Sequence, residues 1–161
     1  METKVLIVMG SRSDLPSMEG CMAQLKEFGL VYEVRVLSAH RTPEAVLELS
    51  RTAVDRGIEV IIAAAGGAAH LAGVIASSTP LPVIGIPIQT SALGGMDSLL
   101  STVQMPGGVP VATVAIGKAG AKNAAILACQ MMGLKDKDLQ DKIVAFKKAQ
   151  AEKVLADSYL E

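Results

Sequence analysis

Residues 38–43, Ser-Ala-His-Arg-Thr-Pro, combine the side chains that acid–base chemistry on a charged small molecule would need. His40 is one of two histidines in the chain, and histidine takes up and releases protons near neutral pH. Arg41 is a permanent cation whose planar guanidinium binds phosphate or carboxylate through paired hydrogen bonds. The stretch therefore predicts a proton-transfer residue beside an anion-binding residue.

The same stretch joins two predicted elements of secondary structure. An apolar run over 31–37 predicts a strand, and the spacing of apolar residues over 44–56 predicts a helix that Gly57 ends. Thr42 is expected to cap this helix and Pro43 to occupy its first position. The candidate chemistry is thus predicted at a helix N-terminus, which favours anion binding.

The rest of the chain alternates strands with helices. Strands are predicted at 4–9, 31–37, 59–63, 82–86 and 111–116, each followed by a helical pattern. This rhythm predicts a three-layer α/β/α fold around a five-stranded parallel sheet, with the flavodoxin-like order 2-1-3-4-5. We expect one domain over 1–161, with a doubly wound core over about 1–133. A charged helix over about 135–157 is expected to form a C-terminal arm.

In this order the loops after strands 1, 2 and 3 are neighbours at the edge where ligands bind. These loops, 10–14, 38–42 and 65–71, hold most of the unusual polar and glycine residues. Taken singly they are weak signals. The first could be a capped turn, and neither GxGxxG nor GxxxxGK[ST] is present. His70 could cap the next helix. Their convergence favours a site for a phosphorylated small molecule.

Composition limits the alternatives. The net charge is −1, and the chain has no Trp, two Tyr and two Phe, so no basic or aromatic nucleic-acid surface is expected. Gly66, Gly67 and His70 interrupt the longest apolar run, which makes it a poor membrane span. With 50% hydrophobic residues, the chain is expected to be a cytoplasmic homo-oligomer or, alternatively, a monomer with an Ala- and Gly-rich core. Cys21 and Cys129 are expected to be buried thiols, and no metal site is expected.

Four motifs together resemble one known family. They are Met-Gly-Ser-Arg-Ser-Asp at 9–14, the stretch at 38–43, Ala-Gly-Gly-Ala-Ala-His-Leu at 65–71, and the segment 108–124. In order and spacing they are similar to the PurE family of N5-carboxyaminoimidazole ribonucleotide mutases. The resemblance implies that His40 is catalytic. It also implies a set of substrate-binding positions: Ser11, Ser13, Asp14, Ser38, Ala39, Arg41, Ala65, Gly66, Ala68, His70 and Leu71.

The resemblance implies a carboxyl shift in purine biosynthesis, without cofactor or metal, in which CO2 leaves N5, stays enclosed and adds to C4. It also implies a homo-octamer. A related branch carboxylates aminoimidazole ribonucleotide directly with CO2 and has Lys at the position of Arg41, so direct carboxylation is the first alternative. The second alternative is a non-catalytic nucleotide-binding module. The presence of His40 beside Arg41 disfavours it, because phosphate binding alone needs no titrating group.

Overall fold

The computed structural model describes residues 2–159 and has a parallel five-stranded sheet at its centre. The strand order is 2-1-3-4-5, which confirms the predicted fold class. The strands are β1 (Val5–Met9), β2 (Tyr32–Val36), β3 (Val60–Ala65), β4 (Val83–Pro87) and β5 (Ala112–Thr113). β5 is shorter than the predicted 111–116, and residues 114–116 lead from it into the helix that begins at Gly117.

Helices cover both faces of the sheet. They are α1 (Leu15–Glu27), α2 (Pro43–Thr52), α3 (Leu71–Ala76), α4 (Met96–Val103), α5 (Gly117–Met132) and α6 (Lys137–Ala156). α1 and α5 pack on one face, while α2 and α3 pack on the other. α2 ends before the predicted boundary at 56, and residues 53–57 form turns that lead to Gly57 in the left-handed region.

The two faces of the sheet enclose two apolar layers. Along β1, Val5 and Ile7 belong to one layer, whereas Leu6 and Val8 belong to the other. This division follows from the alternation of side chains along a strand, and it explains why β1 is apolar throughout. The layer under α1 and α5 also contains both cysteines.

Both thiols are buried, as the sequence predicts. Burial raises the pKa of Cys21 to about 12 and that of Cys129 to about 11. Since the thiolate is the reactive form, these cysteines are inert core residues.

The C-terminal helix has two different halves. In its first half Leu139 and Ile143 are buried, and the ring of Phe146 meets that of Phe28 edge to face at 5.6 Å. In its second half Val154 and Leu155 are each 69% exposed. The first half is therefore part of the fold, while the second half offers apolar side chains to solvent. Within residues 2–159, no helix is both long and apolar enough to cross a membrane.

Candidate active site

A pocket of about 490 Å³ opens at the carboxyl edge of the sheet. All of the site residues predicted from the sequence line it, which are Ser11, Ser13, Asp14, Ser38, Ala39, His40, Arg41, Ala65, Gly66, Ala68, His70 and Leu71. The structure therefore brings together the three loops that were predicted to converge. The chemical role of each residue remains a prediction.

Backbone hydrogen bonds continue the sheet ladder into the base of this pocket. The Leu37 N–H donates to the Met9 carbonyl at 2.9 Å, and the Gly10 N–H donates to the Ala64 carbonyl at 2.9 Å. The Ile88 N–H donates to the Ala65 carbonyl at the same distance. Because these bonds lie just past the strand ends, each loop leaves the sheet from a fixed point.

The loop after β1 is a capped turn and a pocket wall at once. The Ser11 Oγ accepts hydrogen bonds from the Ser13 N–H at 3.3 Å and from the Ser13 hydroxyl at 2.8 Å. In return, the Asp14 carboxylate accepts from the Ser11 N–H at 3.2 Å, completing a capping box. The capped-turn alternative thus describes the local structure correctly, and it does not compete with a binding role.

Asp14 is a buried carboxyl group, with 8% of its surface exposed. Burial raises its pKa above the ordinary value, and the hydrogen bonds from Ser11 and Ser13 oppose this only in part. A raised native pKa means that the native state keeps a proton that the unfolded chain has lost. Stability therefore falls as pH rises from about 4, the unfolded value, through the native pKa. Burial of this group therefore makes the protein less stable at neutral pH than near pH 4.

We expect Asp14→Asn to raise the melting temperature at pH 7 and to raise it less near pH 4. The amide removes the buried charge and keeps an oxygen that can accept from the Ser11 N–H. Thermal unfolding at several pH values, at one protein concentration, measures the change in melting temperature at pH 7 and near pH 4. Asp55→Asn, at an exposed position, is the matched control. A pH-independent change in Asp14→Asn would contradict this account.

The loop after β2 is closed by its first and last residues. The Thr42 hydroxyl accepts from the Ser38 N–H at 2.9 Å and donates to the Ser38 carbonyl at 3.0 Å. Thr42 occupies the N-cap position of α2, as predicted, but its side chain makes no capping hydrogen bond to the helix. Pro43 does occupy the first turn of the helix. The closed loop presents His40 and Arg41 at its tip.

Arg41 connects the first two loops. Its Nη2 donates to the Gly10 carbonyl at 3.1 Å. A guanidinium carries five N–H donors, so this bond orients the side chain and leaves other donors for an anion. Its exposed position on the pocket wall suits a ligand that arrives from solvent.

The two histidines form a direct pair across the pocket. His40 Nε2 and His70 Nδ1 are 2.8 Å apart, and the rings meet edge to face with centroids 4.9 Å apart. His70 occupies the N-cap position of α3, but its side chain makes no capping hydrogen bond to this helix. Sequence reasoning gave His70 a pocket position and missed its contact with His40. The contact joins the ends of β2 and β3, which β1 separates.

Sequence reasoning also missed the fourth wall of the pocket. Ile88, Gln89 and Thr90, which follow β4, line it. The signal was available in the predicted order, since β4 pairs with β3 and its exit must reach the same edge. In residues 2–159, no three His, Cys, Asp or Glu side chains gather as a metal site would require.

The strand order and the helices on both faces define a doubly wound α/β protein with a pocket at the carboxyl edge of its sheet. The family model described as AIR carboxylase matches residues 4–153. The chain belongs to the AIR carboxylase family.

Proteins similar to this chain carry a more specific name. A protein of Saccharolobus solfataricus named N5-carboxyaminoimidazole ribonucleotide mutase is 58% identical over 153 residues, covering 95% of this chain and 96% of that protein. One of Vibrio parahaemolyticus with the same name is 54% identical and covers 96% of each. The crystal structure of Treponema denticola PurE matches with a TM-score of 0.85 at 32% identity, over 95% of this chain and 94% of that chain.

Proposed function

We propose that this chain is a mutase that converts N5-carboxyaminoimidazole ribonucleotide to 4-carboxy-5-aminoimidazole ribonucleotide in purine biosynthesis, in the cytoplasm. The observation that carries the proposal is the histidine pair in a pocket that also holds Arg41. Similarity to proteins named as this mutase, over almost the whole chain, supports it. The non-catalytic alternative leaves the 2.8 Å pair of titratable rings without a use.

The reaction needs one proton delivered and one removed. The bond between N5 and the carboxylate carbon breaks, CO2 forms, and N5 receives a proton. C4 then attacks CO2, a C–C bond forms, and the proton on C4 leaves. His40 supplies the first proton and accepts the second, so that it ends in its starting state. No cofactor takes part.

His70 is proposed to hold His40 for these transfers. The hydrogen bond to His70 Nδ1, at 2.8 Å, occupies Nε2 of His40. It therefore leaves Nδ1 of His40 as the nitrogen that exchanges the proton with the substrate. His70 acts as a positioning residue in this scheme, and His40 is the residue that meets the substrate.

The remaining walls are proposed to bind the ribonucleotide. Ser11, Ser13 and Arg41 offer hydroxyl and guanidinium donors to its phosphate, and Asp14 offers acceptor oxygens to its ribose. Fixing the ribose phosphate keeps C4 and N5 in reach of one histidine. The small residues Gly66 and Ala68 line the wall where CO2 would be retained.

Turnover in CO2-depleted buffer tests the proposal. We expect the purified protein to convert N5-carboxyaminoimidazole ribonucleotide without added bicarbonate, since the carboxyl group never leaves the pocket. Direct carboxylation, which the description of the matching family model favours, predicts the reverse. It requires product from aminoimidazole ribonucleotide with bicarbonate and little conversion of the N5-carboxy compound. This result would mean that the protein is a direct carboxylase and not a mutase.

The protein is further proposed to be a homo-octamer. Exposed apolar side chains at the surface of α4 include Met96 at 52%, Leu100 at 53% and Val103 at 45%. Such a stripe is usually covered by a partner, and a second copy would cover it here. Light scattering is expected to give eight times the chain mass of 16.7 kDa. A particle of single-chain mass would contradict self-association.

A further inference from the structure

Helix α4 contacts the loops after β3 and β4 through two serine side chains, which we call the serine clamp (Ser98 and Ser101). The Ser98 Oγ accepts from the Gly67 N–H at 2.9 Å and donates to the Ile88 carbonyl at 2.7 Å. The Ser101 Oγ donates to the Asp97 carbonyl at 2.6 Å and has a longer contact of 3.3 Å with the Gly67 carbonyl. Residues three apart share one helix face, so both serines meet the same glycine.

The clamp holds a segment with little conformational restraint of its own. Gly67 has a φ of +70° and follows another glycine, so its backbone has many alternative conformations. The clamp engages both its N–H and its carbonyl. Ser98 has no exposed surface. Its partners are therefore shielded, and water cannot readily replace a lost hydroxyl.

The clamp joins two walls of the pocket. Gly67 lies between Gly66 and Ala68 in the loop after β3, and Ile88 begins the wall after β4. Helix α4 makes a further contact with the wall after β4, because the Thr90 hydroxyl donates to the Asp97 carboxylate at 2.8 Å. α4 therefore fixes the distance between the two walls, although neither serine lines the pocket.

We propose that the serine clamp is a positioning device that keeps the CO2 enclosed between these walls. The inference rests on the proposed mutase function. CO2 that forms when the N5–carbon bond breaks can either add to C4 or escape. Escape leaves N5 protonated and C4 unchanged, so the products are aminoimidazole ribonucleotide and free CO2. A looser Gly66–Ala68 turn gives CO2 more room and favours escape.

Product partition in Ser98→Ala tests the clamp. We expect kcat for the carboxylated product to fall roughly 10- to 100-fold, because small displacements at a reacting centre have effects of this size. KM is expected to change by less than about threefold, since the phosphate anchors are untouched. The share of substrate released as aminoimidazole ribonucleotide, above a blank without enzyme, is expected to rise several-fold.

Two further variants separate this role from general stability. Ser101→Ala should shift the partition in the same direction but less, because its contact with Gly67 is longer. It decides the question if Ser98→Ala does not fold. Thr102→Val is the matched control, since this buried hydroxyl on the same helix donates to the Ser98 carbonyl within α4. It should leave the partition unchanged.

The outcomes distinguish failure of the proposed mutase function from failure of the serine clamp. Wild-type protein that does not convert the substrate would overturn the mutase function and this inference with it. Wild-type conversion with an unchanged partition in folded Ser98→Ala would overturn the clamp alone. An equal shift in Thr102→Val and Ser98→Ala would also overturn it, since the effect would then come from any change in α4.

Discussion

His40→Asn is expected to remove mutase turnover, with a loss of kcat of more than about 10³-fold, while nucleotide binding survives. One positioned acid–base group contributes roughly 10²- to 10⁴-fold. Here the same ring would serve both proton transfers, so the loss should lie toward the upper end of that range. Asparagine fills similar space and can hydrogen-bond to His70, but it cannot accept and return a proton at neutral pH.

Binding of the carboxylated product, measured by calorimetry, should weaken by less than about fivefold in His40→Asn, because the proposed phosphate-binding residues Ser11, Ser13 and Arg41 are unchanged. His70→Asn is the comparison, because it removes the partner and keeps the ring of His40. We expect its kcat to fall roughly tenfold, with a displaced pH optimum. Substantial turnover by His40→Asn would refute the role of His40, and an unchanged pH profile in His70→Asn would refute that of His70.

The predicted strand order was sufficient to bring His40, Arg41 and His70 to one edge. Apolar runs of strand length, separated by helical patterns, leave few topologies, and parallel sheets collect their loops at the carboxyl ends. The location of the pocket therefore follows from local patterns and one topological rule. The contact of 2.8 Å between the two imidazoles does not follow. It depends on loop conformations that local sequence does not determine.

Two further residues show where sequence patterns cease to inform. Thr42 occupies the predicted N-cap position of α2, yet its hydroxyl closes its own loop through Ser38 instead of capping the helix. Both uses satisfy the hydroxyl, and only the path of the loop decides between them. Ser98 lies in an ordinary helical pattern 31 residues from Gly67. Nothing in its neighbourhood along the chain distinguishes it from a solvent-facing serine, because its partners come from two other loops.

The largest expected effect on stability is that of Gly120→Ala. Gly120 lies in the first turns of α5, where a Cβ would be 1.6 Å from the Ala115 carbonyl oxygen and 2.6 Å from its carbon. Both atoms belong to the backbone that leads from β5 into the helix, so no side-chain rotation relieves the overlap. The helix must move away from the layer in which Ala121 and Ala124 are fully buried. We expect a loss of about 3 kcal/mol or more.

Gly20→Ala makes the same chemical change with the opposite expected sign. Gly20 lies inside α1, is exposed, and a Cβ there would meet nothing within 4 Å. Alanine restrains the unfolded chain and favours the helix, so a gain of roughly 0.5–1 kcal/mol is expected. Urea unfolding of both variants measures the two effects. The protein concentration is kept the same, because dissociation of an oligomer makes the apparent stability depend on concentration. Similar stabilities for both variants would mean that the α5 backbone yields to a methyl group. The close approach at Ala115 would then not explain why glycine stands at position 120.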